Sequence, residues 1–301
     1  MENKKINNCL QSAYIRRYTL TDGAENGLKV IELNSGDLRV LLNESKALDV
    51  MQVWHKGVNI SFISKNGFTA RELPFIKRFE GGMIYTCGLD SMGRREGFDL
   101  HGSFHNTPAK VVSVSEEDDK LQVKAIMHNS SLFGENLEVQ RTITLKGDLL
   151  SLEDSLINLG TKVENYCLLY HTNFGYPMLD EGTEIIYDIK TVTPCDELSE
   201  SLASSRTVFR APIDNEPEKC YYLENNQNFV AVENKKLGKR VKITYSKETL
   251  PVLVHWNSDA SQDYALGIEP STSLLGEKLN YKQINPKETI NFYISLDFKE
   301  I

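Results

Sequence analysis

The chain has 301 residues, 40% of them hydrophobic and 25% charged, with a formal net charge of −8. That is long enough for a sizeable buried core and average for a globular chain. The acidic balance, with no offsetting basic stripe, argues against nucleic acid as a partner, because phosphates would be repelled. No run approaches the ~20 apolar residues that a bilayer crossing needs. The start, Met1-Glu-Asn-Lys-Lys-Ile, lacks the apolar core of a signal peptide, so no membrane partner is expected and cytoplasmic is the default location.

Five cysteines (Cys9, Cys87, Cys167, Cys195 and Cys220) are dispersed without a C-x-x-C pair. That reads as reduced thiols rather than a disulfide framework or a zinc ribbon.

In chain order the pattern is one of strands. Residues 38–43 read as an early strand. Residues 110–116 and 121–127 alternate about the acidic turn Glu117-Asp118-Asp119, with Leu121, Val123, Ala125 and Met127 on one face. A second hairpin places Leu137, Val139, Arg141, Ile143 and Leu145 on one face up to Lys146-Gly147-Asp148. Leu150, Leu152, Asp154, Leu156 and Asn158 then run down to Gly160. A strand follows at 185–192, a short helix at 196–205, and a third hairpin at 229–235 and 240–245 about Leu237-Gly238. Further strands fall at 250–256, 264–268 and 289–298. No repeat, low-complexity tract or long linker divides the chain, so residues 1–301 read as a single domain. Many strands, tight turns and few helices predict an all-β fold, a large antiparallel β-sandwich.

Three segments break the alternation with polar residues. The first joins Phe79-Glu-Gly-Gly-Met-Ile-Tyr-Thr-Cys-Gly-Leu89 to Leu100-His-Gly-Ser-Phe-His-Asn-Thr-Pro-Ala109. It holds His101 and His105 four apart, but Gly102 and Pro108 disfavour a helix and no Glu follows His101. Two hydrogen-bonded structural histidines are therefore preferred to a metal site, and no metal is expected. The second, Leu168-Leu-Tyr-His-Thr-Asn-Phe-Gly-Tyr-Pro-Met-Leu179, reads as a strand ending at His171. It brings Asn173 and the aromatics Phe174 and Tyr176, a mixture suited to sugar C–H faces and hydroxyl edges. The third, Tyr264-Ala-Leu-Gly-Ile-Glu-Pro-Ser-Thr272, delivers Glu269 at a strand end just before Pro270, downstream of Trp256, which could stack on a sugar or simply pack in the core.

Those segments, with Ala47-Leu-Asp-Val-Met-Gln-Val-Trp-His-Lys-Gly57 and Asn158-Leu-Gly160, resemble a little-characterised branch of the aldose 1-epimerases, the galactose mutarotase-like superfamily. The likeness runs from about residue 45 to the C-terminus. It implies a β-sandwich with a sugar cleft across one sheet. It also implies an enzyme that interconverts the α and β anomers of a free aldose without a cofactor. By position Glu269 matches the general base, His171 the general acid, and His101 a second histidine near the ring oxygen. Arg78 lies where a substrate-binding arginine often stands, and His105 follows Ser103, which departs from the branch's usual arginine. Asn173 and Trp256 are further candidate sugar contacts. The family's sugar-binding aspartate has no clear match; Asp214 is the candidate by its loop-like setting. The implied partner is a small-molecule sugar, and a homodimer is left open. The alternatives are a non-catalytic carbohydrate-binding or sensing protein, or an isomerase or lyase acting on an acidic or phosphorylated sugar.

Overall fold

Alternating apolar residues oblige each strand to bury one face, and two sheets meet that demand by packing on each other. The computed structural model describes residues 5–117 and 120–301. Its strands begin with β1 (Tyr14–Thr19), β2 (Lys29–Asn34), β3 (Leu38–Asn43), β4 (Asp49–His55), β5 (Val58–Asn59) and β6 (Ile84–Leu89). Next come β7 (Lys110–Glu117), β8 (Lys120–Ser130), β9 (Asn136–Lys146), β10 (Leu149–Asn158), β11 (Glu164–Phe174), β12 (Glu184–Ile186) and β13 (Ile189–Pro194). The last are β14 (Lys219–Asn225), β15 (Phe229–Asn234), β16 (Lys239–Tyr245), β17 (Val252–Ser258), β18 (Ala265–Ser271), β19 (Lys282–Ile284) and β20 (Thr289–Glu300).

The larger sheet runs β1-β2-β3-β4-β6-β11-β18-β17-β14-β13, with β5 beside β4 and β19 beside β11. The smaller runs β12-β15-β16-β20-β10-β9-β8-β7. Every strand pairing within them is antiparallel, and the expected all-β sandwich is the observed fold. All three predicted hairpins form, as β7–β8, β9–β10 and β15–β16. Asp118 and Asp119 of the expected acidic turn lie outside the described residues. The strand expected at 185–192 is two strands instead: β12 pairs with β15 in the smaller sheet and β13 with β14 in the larger. The chain changes sheets at Tyr187-Asp188, where the Tyr187 hydroxyl meets Nδ1 of His255 at 3.1 Å. The short helix is confined to Glu197–Ser201, capped by the Asp196 carboxylate on the Ser199 N–H. Among the described residues no helix is long and apolar enough to cross a membrane.

One apolar cluster joins the inner faces, and it includes every apolar residue assigned above to the inner faces of β8, β9 and β10. In its midst sits a guanidinium. The side chain of Arg141 is fully buried. It faces Asp154 across the β9–β10 ladder and spends all five of its N–H bonds. Nε and Nη2 reach Asp154 at 2.9 and 2.7 Å, Nη1 reaches Asp49 Oδ1 at 2.7 Å and the Ala47 carbonyl at 2.8 Å, and Nη2 reaches the Thr86 hydroxyl at 3.0 Å. The Tyr170 hydroxyl adds a bond to Asp154 at 2.8 Å. Replacing Arg141 with Met leaves two buried carboxylates without their cation, and breaking such a cluster costs about 3–5 kcal/mol. We expect the urea-unfolding midpoint of Arg141→Met to drop accordingly, and an unchanged midpoint would show that the cluster contributes nothing.

Candidate functional site

β11 and β18 are neighbours in the middle of the larger sheet. Leu169 faces Ser271 and Thr172 faces Ile268, so His171 lies directly opposite Glu269. Both side chains point away from the sandwich core, and His171 Nε2 comes within 3.2 Å of Glu269 Oε1. The pattern of residues places strand ends at His171 and Glu269, but neither strand stops there. β11 continues past His171 to Phe174, and Glu269 lies inside β18 rather than at its end. The strand runs on through Pro270, which has no N–H to donate and had read as a stop.

The pair forms the floor of an open cleft of about 790 Å³. Period two explains which residues surround it: on β17 Val254 and Trp256, and on β14 Cys220 and Tyr222, share the cleft face. A short helix, Phe75–Arg78, supplies Phe75, and loops supply Phe79, Leu100 and His101, on another side. On the same face of the sheet, beside the pair, a second apolar cluster includes Phe75, Tyr85, Cys87, Met92, Leu169 and Val254. The imidazole of His171 is flanked by Phe79, His101 and Trp256, with ring centroids at 5.7, 5.7 and 5.6 Å.

Convergence this close requires a missing side chain. A Cβ on Gly267 would lie 2.5 Å from Glu269 Oε1, 2.9 Å from His171 Cε1 and 3.2 Å from Trp256 Cε3. His101 depends on another unusual backbone: its φ is 65°, in the left-handed region, and Gly102 follows at 80°. Such a conformation costs a non-glycine residue on the order of 1–3 kcal/mol and is often found at functional sites. The Gly93 N–H donates to His101 Nδ1 at 3.3 Å. The neutral ring therefore carries its proton on Nε2, as a donor.

Burial dominates the electrostatics. It pushes Glu269 well above the usual carboxyl range, helped by the nearby Glu218 charge and then by Cys195. It pushes His171 down to about 3, with His101 adding to the effect and Asn173 opposing it. His101 is likewise pushed down to about 4 by burial, against a pull from Asp99. The floor thus favours the protonated form of Glu269 and the neutral form of both imidazoles. Among the described residues Glu269 Oε1 and His171 Nδ1 have no hydrogen-bond partner.

The other sequence candidates divide. Trp256 lines the cleft, and its indole N–H donates to Glu218 Oε2 at 2.8 Å. Asn173 is buried behind the floor, where its amide N–H bonds the Gly82 and His171 carbonyls, each at 3.0 Å. Arg78 is buried and turned from the cleft, bonded to the Tyr85 hydroxyl at 2.8 Å and to Asp99. His105 is fixed behind Tyr85, which stacks on it at 3.7 Å, and its Nδ1 lies 2.7 Å from Asp49. His101 and His105 are thus directed to different sites, one to the cleft and one to the Asp49 cluster. Asp214 is exposed and away from the cleft; the carboxylates of that loop that line it are Glu216 and Glu218. Of the aromatics, Phe174 is core and Tyr176 is exposed outside the cleft. Phe75, Phe79 and Tyr222 take that place instead, as does Glu218 among the acids; only the alternation of β14 hinted at the last two.

The family model described as "Domain of unknown function (DUF4432)" matches residues 25–295, beginning upstream of the likeness read from the motifs. No curated protein matches the sequence. Solved structures do match. A protein from Klebsiella pneumoniae subsp. pneumoniae MGH 78578, provisionally called an aldose 1-epimerase, has a TM-score of 0.85 at 21% identity, over 96% of this chain and 88% of that one. A galactose mutarotase-like protein from Clostridium acetobutylicum gives 0.74 at 17%, over 97% and 100%. Galactose 1-epimerase from Lactobacillus acidophilus NCFM gives 0.68 at 14%, over 96% and 99%. At these identities the likeness establishes the fold, which is that of the galactose mutarotase-like proteins.

The Gly267 packing gives a direct test. Gly267→Ala removes no acid or base, yet its methyl group must push Glu269, His171 and Trp256 apart. We expect a stability loss of about 1–3 kcal/mol, read by thermal melting. A variant that melts as the parent does would mean that the floor is not tightly packed.

Proposed function

The chain belongs to the DUF4432 family, and we propose that it is an aldose 1-epimerase-like enzyme that interconverts the anomers of a free sugar. The observation that carries this reading is the 3.2 Å approach of His171 Nε2 to Glu269 Oε1 on the buried floor of an open cleft. Anomer exchange moves a proton from the anomeric hydroxyl to the ring oxygen. Both oxygens are bonded to the same carbon, so an acid and a base side by side suit it.

The pair starts with one transferable proton. With Glu269 raised and His171 lowered, that proton rests on Glu269 before a sugar binds. Glu269 then protonates the ring oxygen while His171 accepts the proton of the anomeric hydroxyl, and the C1–O5 bond breaks to give the aldehyde. Rotation about C1–C2 exposes the other carbonyl face. Ring closure returns the first proton to Glu269 as His171 protonates the new anomeric oxygen. This start reverses the base and acid roles that the resemblance implies for Glu269 and His171. The net reaction is the same, because each group gives and takes one proton per turnover. The Nε2–H of His101 is a neutral donor for an oxygen of the sugar, and the Trp256 and Phe79 rings offer apolar faces to its C–H groups. A protein that only binds sugar needs no protonated carboxyl beside a neutral imidazole.

Exchange spectroscopy by NMR on a panel of free aldoses reads the reaction directly. Glu269→Gln and His171→Asn should each slow exchange by roughly 10²- to 10⁴-fold; turnover near that of the parent in Glu269→Gln would remove Glu269 from the chemistry.

The pH profile is a separate check. The one-proton pair exists between the lowered His171 and the raised Glu269 values. Activity should therefore hold as pH falls through 6.5, the ordinary histidine value. It should be lost only in strong acid, and again when alkali strips the proton from Glu269. An acid limb centred near 6.5 would contradict this assignment.

A further inference from the structure

Four carboxylates line the cleft (Glu216, Glu218, Asp263 and Glu269) against two permanent cations, Lys65 and Arg94. Most of these charges are already committed. Lys65 Nζ pairs with Asp263 at 2.7 Å. Glu216 accepts from Arg210 and Lys219 at 2.5 and 3.3 Å. Glu269 is buried on the floor beside His171, and burial favours its protonated form. That leaves Glu218 as the carboxylate whose charge faces the ligand space. It stands at the entry of β14, on the same face as Cys220 and Tyr222, and Trp256 fixes it through the 2.8 Å indole bond to Oε2. The same Trp256 ring packs edge-on against His171. Glu218 is therefore held one side chain away from the reacting pair, close enough for its charge to act on Glu269. Two consecutive arginines, Arg94 and Arg95, are the basic residues to weigh against it. Arg95 is turned aside, its Nη1 bonded to the Tyr281 hydroxyl at 2.6 Å and its guanidinium over Phe98, while Arg94 is an exposed side chain on the rim.

We propose that Glu218 sets the substrate class of this site: its carboxylate, held at the cleft wall by the Trp256 indole, admits neutral aldoses and repels sugar acids and sugar phosphates. The inference rests on the reading of the cleft as a sugar site, and it deepens that reading. A neutral sugar can donate a hydroxyl hydrogen to Glu218, whereas a ligand carboxylate or phosphate brings only acceptors and a like charge.

The test reads binding, not turnover. The molecule has two tryptophans, Trp54 and Trp256, so Trp54→Phe assigns the Trp256 indole resonance in a 1H–15N spectrum of the full chain. Free hexoses and pentoses, the matching hexuronates and the hexose 6-phosphates are titrated in turn. A neutral aldose should perturb the Trp256 resonance at lower concentration than its uronate or phosphate, and added salt should narrow the gap. Glu218→Gln keeps an acceptor for the indole and removes the charge. It should reduce the preference for neutral over anionic sugar about fivefold, the size of one exposed charge contact. Arg94→Ala serves as the second variant and should leave the preference on the neutral side. The proposal is overturned if anions bind the parent more tightly than neutral aldoses, if Glu218→Gln leaves the preference unchanged, or if no neutral aldose perturbs Trp256. Binding with the expected preference but without anomer exchange would sink the enzymatic reading and leave this one standing.

Discussion

The fold turns on a buried guanidinium. Arg141 reaches from the smaller sheet into the larger and ties Asp154 on β10 to Asp49 on β4 and Thr86 on β6. A charge placed there would be ruinous without partners, and its partners are specific in direction as well as in sign. The cluster therefore acts as a register pin between the two sheets. Through the Tyr170 hydroxyl it also pins β11. Because side chains alternate on a strand, fixing Tyr170 inward fixes His171 outward. The chemistry on the outer face thus inherits its placement from a polar cluster on the inner one.

Dryness has the opposite use on the outer face. Inside the sandwich, Asp49 and Arg141 stay ionised because each meets the other's charge and several hydrogen bonds. On the cleft floor Glu269 and His171 meet mainly aromatic and aliphatic neighbours, with no full-charge partner at hand. The same low polarity that strengthens the inner ion cluster drives the outer pair towards its neutral form. In the proposed mechanism that neutrality is what leaves Glu269 a proton to give.

Much of this architecture was legible in the sequence. Arg141 and Asp154 fell on the apolar faces of two adjacent strands, and the ladder pairs them. The strand and hairpin pattern gave the sandwich, and the motifs led to three residues of the cleft, His101, His171 and Glu269. What stayed hidden depends on register and on breaks in periodicity. Pro270 masked the continuation of β18, so the direct opposition of His171 and Glu269 could not be read. The change of sheet at Tyr187-Asp188 has no composition signal. Arg78 and His105 carry the residue types of a binding site, yet their partners Asp99, Tyr85 and Asp49 come from other segments and hold them away from the cleft. Glu218 was overlooked because an acidic residue in a polar loop looks the same whether it faces bulk water or a ligand.

The cross-strand opposition of His171 and Glu269 also bears on how such a site can change over time. Their spacing is set by a backbone ladder in the middle of a sheet, whereas Lys65, Arg94, Glu216 and Asp263 project from connecting segments around it. Insertions, deletions and substitutions in those connections can reshape the mouth while the ladder keeps His171 and Glu269 aligned. Reactivity and selectivity are therefore separable heritable traits in this scaffold. A lineage could diversify its ligands by remodelling loops long before it altered the reacting groups.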